Sequence, residues 1–310
     1  MKIRIGTRGS KLALWQAHHV EDKLKAEGFD TEIVTIETKG DKILDVSIAK
    51  IGSKGVFTEE IEDQLASGRI DIAVHSAKDM QSTLPDGFEL IAFLEREKPN
   101  DVIISHKQNI KLKNEEPFLL GTSSTRRVAT LRHLYPHIKT VPVRGNLQTR
   151  IRKMEEGACD ALLLAYAGVH RMGYEAMICE ELSLDQFIPA VGQGSVAIEL
   201  HNSLGSKKSN AIRQVLNHAN TERCLLAERA YLKKMDGGCS IPVFALAKLD
   251  QQGMTIEGGI ISLDGTERIN HKISGDSKDA VQLGQLLAEE VLSSGGERIL
   301  KEIKNNIDEK

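Results

Sequence analysis

IGTRGSKLA at residues 5–13 and LGTSSTRRVA at 120–129 are two versions of one local pattern. Each places Gly-Thr at the end of a β-rich run, then hydroxyl residues, then helical periodicity, which is the signature of a strand-to-helix turn. A second echo occurs in the same order. SGRIDIAVHS at 67–76 and EGACDALLLA at 156–165 both set Gly-x-x-Asp before an apolar strand. Two ordered echoes in one chain point to two similar α/β lobes.

Working outward, the first lobe is expected to hold strands near 2–6, 31–36, 70–75 and 88–93. Its helices fall near 11–27 and 57–67, closed by Gly28 and Gly68. Between them residues 38–55 lack periodicity and read as a long mobile loop, a kind of segment that is usually functional or disordered. The second lobe repeats the alternation with strands near 101–105, 117–121, 138–143 and 159–165 and helices near 124–134 and 146–156. Glycine-rich PAVGQGSVAIEL at 189–200 reads as a crossover or hinge. From about residue 219 one helix, three β-like runs and amphipathic helices form an α+β pattern. The expected domains are 1–96 with 194–216, then 97–193, then 217–310.

The 310 residues exceed what one ordinary core serves, and 40% apolar with 27% charged residues is the balance of a globular chain. A net charge of −3 gives no global basic field for nucleic acid, so anion binding must be local. The longest apolar or small-residue run, Ala161 to Val169, is far short of the roughly 20 residues a membrane helix needs. The amino terminus does not read as a signal peptide, and the expected location is the cytoplasm. Cysteines 159, 179, 224 and 239 include no C-x-x-C pair, which argues against zinc and a disulfide scaffold. His133 and His137, four apart around Pro136, read as surface residues, and no metal is expected.

GTSSTRR at 121–127 admits two readings. One is an ordinary N-cap with solvated arginines; the other is an anion site, with free N–H groups at a helix start and bidentate donors from Arg126 and Arg127. Arg8 and Ser10 follow the first strand, and Arg144 and Arg150 flank another strand exit. Ligands of open α/β sheets bind beyond the carboxyl ends of the strands, so these turns suit one polyanion in a cleft. Lys78-Asp79 follows a strand in the same way. An isolated Lys-Asp dipeptide is more often a surface ion pair, but here Asp79 would be the carboxylate of a cationic cleft, suited to proton transfer or to stabilising a developing cation. Cys239, after Gly237-Gly238, is the cysteine most open to modification; the other three lie in apolar patterns.

Taken together the strings RIGTRGSKLALWQ (4–16), KGDKILD (39–45), GSKGVFTEEIE (52–62), DIAVHSAKDM (71–80), GTSSTRR (121–127), VRGNLQTR (143–150), PAVGQGSVAIE (189–199), ERCLLAERA (222–230) and GGCSIPV (237–243) resemble the hydroxymethylbilane synthase, or porphobilinogen deaminase, family over nearly the whole chain. The resemblance implies two periplasmic-binding-protein-like lobes flanking a cleft, plus a small α+β C-terminal domain. It implies a dipyrromethane cofactor on Cys239 through a thioether, and head-to-tail condensation of four porphobilinogen molecules with loss of ammonia, followed by hydrolytic release of linear hydroxymethylbilane. Asp79 matches the catalytic position. Ser10, Lys78, Thr122, Ser124, Arg126, Arg127 and Arg144 match cofactor-binding positions, and Arg8, Arg150, Gln193 and, less closely, Arg171 match substrate-binding ones. Lys50, Lys54 and Phe57 belong to the loop and the helix after it that cover the site. Thr125, Tyr166 and Ser195 depart from the family's usual residues without removing a charged position. A monomer with no obligate partner is expected, with transient hand-over to uroporphyrinogen-III synthase. A non-catalytic anion-binding protein of the same two-lobe architecture is the alternative.

Overall fold

The structure, a computed structural model, describes residues 1–42, 58–107, 109–114, 116–238 and 240–308. Lys50, Lys54, Phe57 and Cys239 lie outside the described residues. The chain divides into two compact units, Met1–Glu97 with Ser195–Glu222, and Lys98–Gly194 with Arg223–Lys310.

The first unit is built on a five-stranded sheet. Strand β1 (Lys2–Arg8) pairs in parallel with β2 (Asp30–Ile36) and with β3 (Ile72–Ser76); β10 (Val196–His201) lies antiparallel between β3 and β4 (Phe88–Phe93). Helix α1 (Lys11–Ala26) starts where the Ser10 hydroxyl accepts from the Ala13 N–H, and buries Ala17, Val20 and Leu24 against Ile3, Ile5, Ile72 and Val74. The three-to-four-residue spacing of those side chains is what makes the segment an amphipathic helix. Residues Lys39–Lys42 form one short helical turn, α2, within the stretch read as loop. Helix α3 (Glu59–Ala66) covers the other sheet face with Ile61 and Leu65.

The second unit repeats the plan. Strand β6 (Leu119–Gly121) pairs in parallel with β7 (Lys139–Val141) and β8 (Ala161–Ala165), and β5 (Asp101–Ile104) is antiparallel between β8 and β9 (Ile178–Glu181). The two sheets therefore share one order, with the fourth strand reversed in each. Helices α4 (Thr125–Leu134) and α5 (Leu147–Glu155) follow β6 and β7, and α6 (Tyr166–Arg171) follows β8.

The Gly-x-x-Asp echo does the same work twice. The Arg4 N–H donates to the Asp71 carboxylate (2.7 Å) while the Asp71 N–H donates to the Arg4 carbonyl (2.8 Å). At the corresponding place the Leu119 N–H donates to Asp160 (2.9 Å) and the Asp160 N–H returns to the Leu119 carbonyl (2.9 Å). Each aspartate thus locks the start of one strand to the start of its parallel neighbour.

The rest of this unit is an antiparallel sheet of β11 (Val243–Asp250), β12 (Gly253–Ile261) and β13 (Arg268–Gly275). Helices α8 (Ala219–Lys234), α9 (Ala280–Val291) and α10 (Glu297–Asp308) bury Tyr231, Leu287, Val291 and Ile299 with Ile256 and Ile260. Helix α7 (Ser206–Leu216) belongs to the first unit. Two similar α/β lobes and an α+β C-terminal part are the fold class read from the sequence. Among the described residues no helix is long and apolar enough to cross a membrane.

Candidate active site

In the first unit β1 and β3 are adjacent and parallel, so their carboxyl ends open on one edge of the sheet. Arg8 ends β1 and Ser10 caps α1; Lys78 and Asp79 lie on the 3-10 turn Ala77–Asp79 that leaves β3. Buried residues hold this turn on both sides. The Ala77 N–H donates to the Ser195 carbonyl (2.9 Å) and the Met80 N–H to the Ala77 carbonyl (3.3 Å), with both side chains in the core. Asp79 between them is exposed and Lys78 is half-buried. Beneath the turn Gln16, buried in α1, donates to the Ser76 hydroxyl (3.0 Å). The sequence reading passed over this pair, although a glutamine inside the apolar stripe of α1 is the signal of a buried polar contact.

In the second unit the turn after β6 is built in detail. The Thr122 N–H donates to Val141, its hydroxyl accepts from the Ser124 N–H (3.3 Å), and the Ser124 hydroxyl caps α4 by accepting from the Arg127 N–H (3.4 Å). A Cβ at Gly121 would lie 2.7 Å from Cys159 Sγ, so only glycine lets the strand end sit this close to its neighbour.

The arginines of the turn are not solvated. Arg126 and Arg127 are each 5% exposed and converge on Asp101, which has no exposure. Arg126 donates to one carboxylate oxygen (2.8 Å), and Arg127 donates to the other from Nε (3.1 Å) and a terminal nitrogen (2.7 Å). Buried Gln193 donates to that second oxygen (2.9 Å) and to the Pro99 carbonyl (2.6 Å). Burial alone would raise the Asp101 carboxyl, but the Arg126 and Arg127 charges, with hydrogen bonds from Arg127 and Gln193, hold it far below the usual carboxylate range. Two guanidiniums on one carboxylate leave one positive charge in excess. Arg126 Nε and Ser123 Oγ are also buried without a hydrogen-bond partner among the described residues.

Around this cluster Arg144 and Arg150 flank the exit of β7. Gly145 adopts φ +116°, and its carbonyl accepts from Arg150 Nε (2.7 Å). Arg171 ends α6 and donates to the Gly194 carbonyl (2.7 Å). Tyr166, one of the departures from the family's usual residues, stacks on His170 at 5.6 Å. The crossover 189–195 is anchored from α8, where buried Glu228 accepts from the Gly192 N–H (2.9 Å) and the Ala247 N–H (2.9 Å). Asp101 and Glu228 are missing from the sequence reading because nothing near them in the chain shows their distant partners.

Cys159 and Cys224 are buried and Cys179 is partly exposed; burial pushes the Cys159 and Cys179 thiols up. His133 and His137 are exposed and face the carbonyls of Gly265 and Leu112.

Residues 3–208 match the family described as porphobilinogen deaminase, dipyromethane cofactor binding domain, and residues 222–293 match porphobilinogen deaminase, C-terminal domain. Porphobilinogen deaminase of Desulfosudis oleivorans is 55% identical over 305 residues, with 98% of each chain covered. That of Cytophaga hutchinsonii is 57% identical over 305 residues, again 98% of each. That of Carboxydothermus hydrogenoformans is 43% identical over 310 residues, 99% of each.

The chain belongs to the porphobilinogen deaminase family.

Porphobilinogen deaminase, or hydroxymethylbilane synthase, is a transferase of tetrapyrrole biosynthesis. It condenses four porphobilinogen molecules on a dipyrromethane cofactor, losing ammonia at each step, and releases linear hydroxymethylbilane. The non-catalytic alternative is set aside. The residues fit a group of this chemistry: a dipyrromethane carries carboxylate side chains, and the buried Arg126–Arg127–Asp101 cluster offers a surplus cation and a guanidinium nitrogen with no partner among the described residues.

Proposed function

We propose that Asp79 is the catalytic carboxylate of this porphobilinogen deaminase. The supporting observation is its setting: an exposed carboxylate at a strand exit, on a turn whose neighbours Ala77 and Met80 are buried. A carboxylate held there stabilises positive charge developing on a pyrrole nitrogen as ammonia leaves, and can take up the proton that the condensation releases. Preorganisation matters because no reorientation is needed as the charge forms.

The dipyrromethane, held through a thioether to Cys239, supplies a primer whose terminal pyrrole has a nucleophilic α-carbon. Ser10, Lys78, Thr122, Ser124, Arg126, Arg127 and Arg144 hold its carboxylates. Arg8, Arg150, Gln193 and Arg171 bind those of incoming substrate, so that each added pyrrole meets fixed donors. Of these, Arg126, Arg127 and Gln193 are also tied to Asp101, which orients them. Lys50, Lys54 and Phe57 belong to the loop that excludes water during condensation. The domains are 1–96 with 194–216, 97–193 and 217–310. The protein works as a cytoplasmic monomer and passes its labile product to uroporphyrinogen-III synthase.

Ammonia release from porphobilinogen by an Asp79→Asn holoenzyme tests the assignment. A fall of about 100-fold or more is expected; full turnover would refute it.

A further inference from the structure

Asp79 lies in a short segment whose two ends reach one buried cluster. Upstream, His75 places Nε2 3.0 Å from Oε2 of Glu199 on β10; His75 is buried and Glu199 has no exposure. Downstream, Gln81 donates from Nε2 to the Thr58 hydroxyl (3.0 Å) and to Glu62 Oε1 (3.4 Å), at the start of α3. Glu62 is itself buried. Between these ends the Ala77 N–H is fixed to Ser195, just ahead of the strand that carries Glu199. The contacts at the two ends of the Lys78–Asp79 segment thus run to β10 and α3, alongside the Gln16–Ser76 contact from α1.

The cluster is incompletely satisfied: the other Glu199 oxygen, Oε1, is buried without a hydrogen-bond partner among the described residues. Burial pushes the Glu62 carboxyl up; Glu199 adds to the rise, while Thr58 and His75 oppose it. Other ionisable groups on the packed elements have partners elsewhere or lie at the surface. Glu59 pairs with Lys39, Glu60 accepts from the Lys39 N–H, Arg4 pairs with Asp71 and His201 contacts Ser203, while Asp63 is exposed. Arg8 belongs to the candidate site itself. Apolar residues would fill this place in the core at lower cost, so the polar cluster calls for a role beyond packing.

We propose that Glu199 and Glu62, acting through His75 and Gln81, are positioning residues that hold the Lys78–Asp79 turn for the condensation. The inference rests on the assignment of Asp79. Steady-state assays of porphobilinogen consumption, with melting curves, on Glu199→Gln and Glu62→Gln holoenzymes test it, with Asp79→Asn as reference. Glu199→Gln is expected to lose about tenfold or more in kcat with little change in KM, the pattern of a misplaced catalytic group. Glu62→Gln, which weakens the acceptor of the Gln81 amide, is expected to lower kcat by about threefold or more, again with little change in KM. An unaltered kcat in Glu199→Gln overturns the proposal, and so does an unaltered kcat in Glu62→Gln. If Glu199→Gln does not fold, the kcat of Glu62→Gln decides alone. Full turnover by Asp79→Asn would instead remove the assignment on which the proposal rests.

Discussion

Arg127 directs both Nε and a terminal nitrogen at one oxygen of Asp101, at 3.1 and 2.7 Å, in a place where the carboxylate has no contact with solvent. Arg126 takes the other oxygen. The turn that sequence reasoning singles out for anion binding is thus held from below by a carboxylate 25 residues upstream of Arg126. This gives the hydroxyl-bearing turn a rigid base.

Removing that base should be costly. Asp101→Asn leaves two buried guanidiniums without a counter-charge, and a loss of about 3–5 kcal/mol is expected in denaturant unfolding of the second unit. The pH dependence has a definite sign. A carboxyl held below its unfolded value contributes fully at neutral pH, and the contribution is lost as pH falls from about 4 through the depressed value. Asp101→Asn should therefore flatten the acid limb of the stability curve below about pH 4, and an unchanged acid slope would argue against the cluster.

The matching aspartates Asp71 and Asp160 should share a phenotype on different units. Asp71→Ala leaves the Arg4 N–H and guanidinium short of an acceptor, at a cost of about 1–3 kcal/mol. Asp160→Ala should cost nearer 1 kcal/mol, because its side chain is 31% exposed. Hydrogen exchange locates the effect: protection should fall at the Arg4 amide in the first variant and at Leu119 in the second.

Gly121→Ala forces a Cβ to within 2.7 Å of Cys159 Sγ and 2.8 Å of a Leu162 methyl, so destabilisation of about 1–3 kcal/mol is expected. Adding Cys159→Ala should recover part of that loss. A double-mutant cycle with no coupling would contradict the close approach.

Thiol labelling of the native protein should also discriminate. Cys159 and Cys224 are buried and should react only on unfolding, whereas partly exposed Cys179 should react slowly because burial raises its thiol. Rapid modification of Cys159 in the folded state would contradict its placement.

Much of this architecture was legible because the two lobes use the same local devices. Gly-Thr turns, Ser10 and Ser124 as caps, and the Gly-x-x-Asp pairs all appear as short strings at matching places. What escaped were elements with weak local signals: β9 is four residues of ICEE, and α7, SKKSNAIRQVL, buries only Ile212 and Leu216. Residues 189–200, read as crossover or hinge, divide into a glycine-bearing crossover and strand β10, because its apolar run completes the first sheet. The site was half legible. Strand exits announce Arg8, Lys78 and Asp79, but the sequence does not show that Arg126 and Arg127 turn inward to Asp101 or that Gln193 joins them, since those contacts join distant parts of the chain.

The proposed function requires this chain to build and carry a dipyrromethane on Cys239, which intact mass of the denatured, purified protein followed by peptide mapping would reveal. The expected result is a covalent increment of two linked pyrrole units on the peptide containing Cys239, present at purification or acquired on incubation with porphobilinogen. A chain that stays unmodified after that incubation, or an increment on any other cysteine, would contradict it.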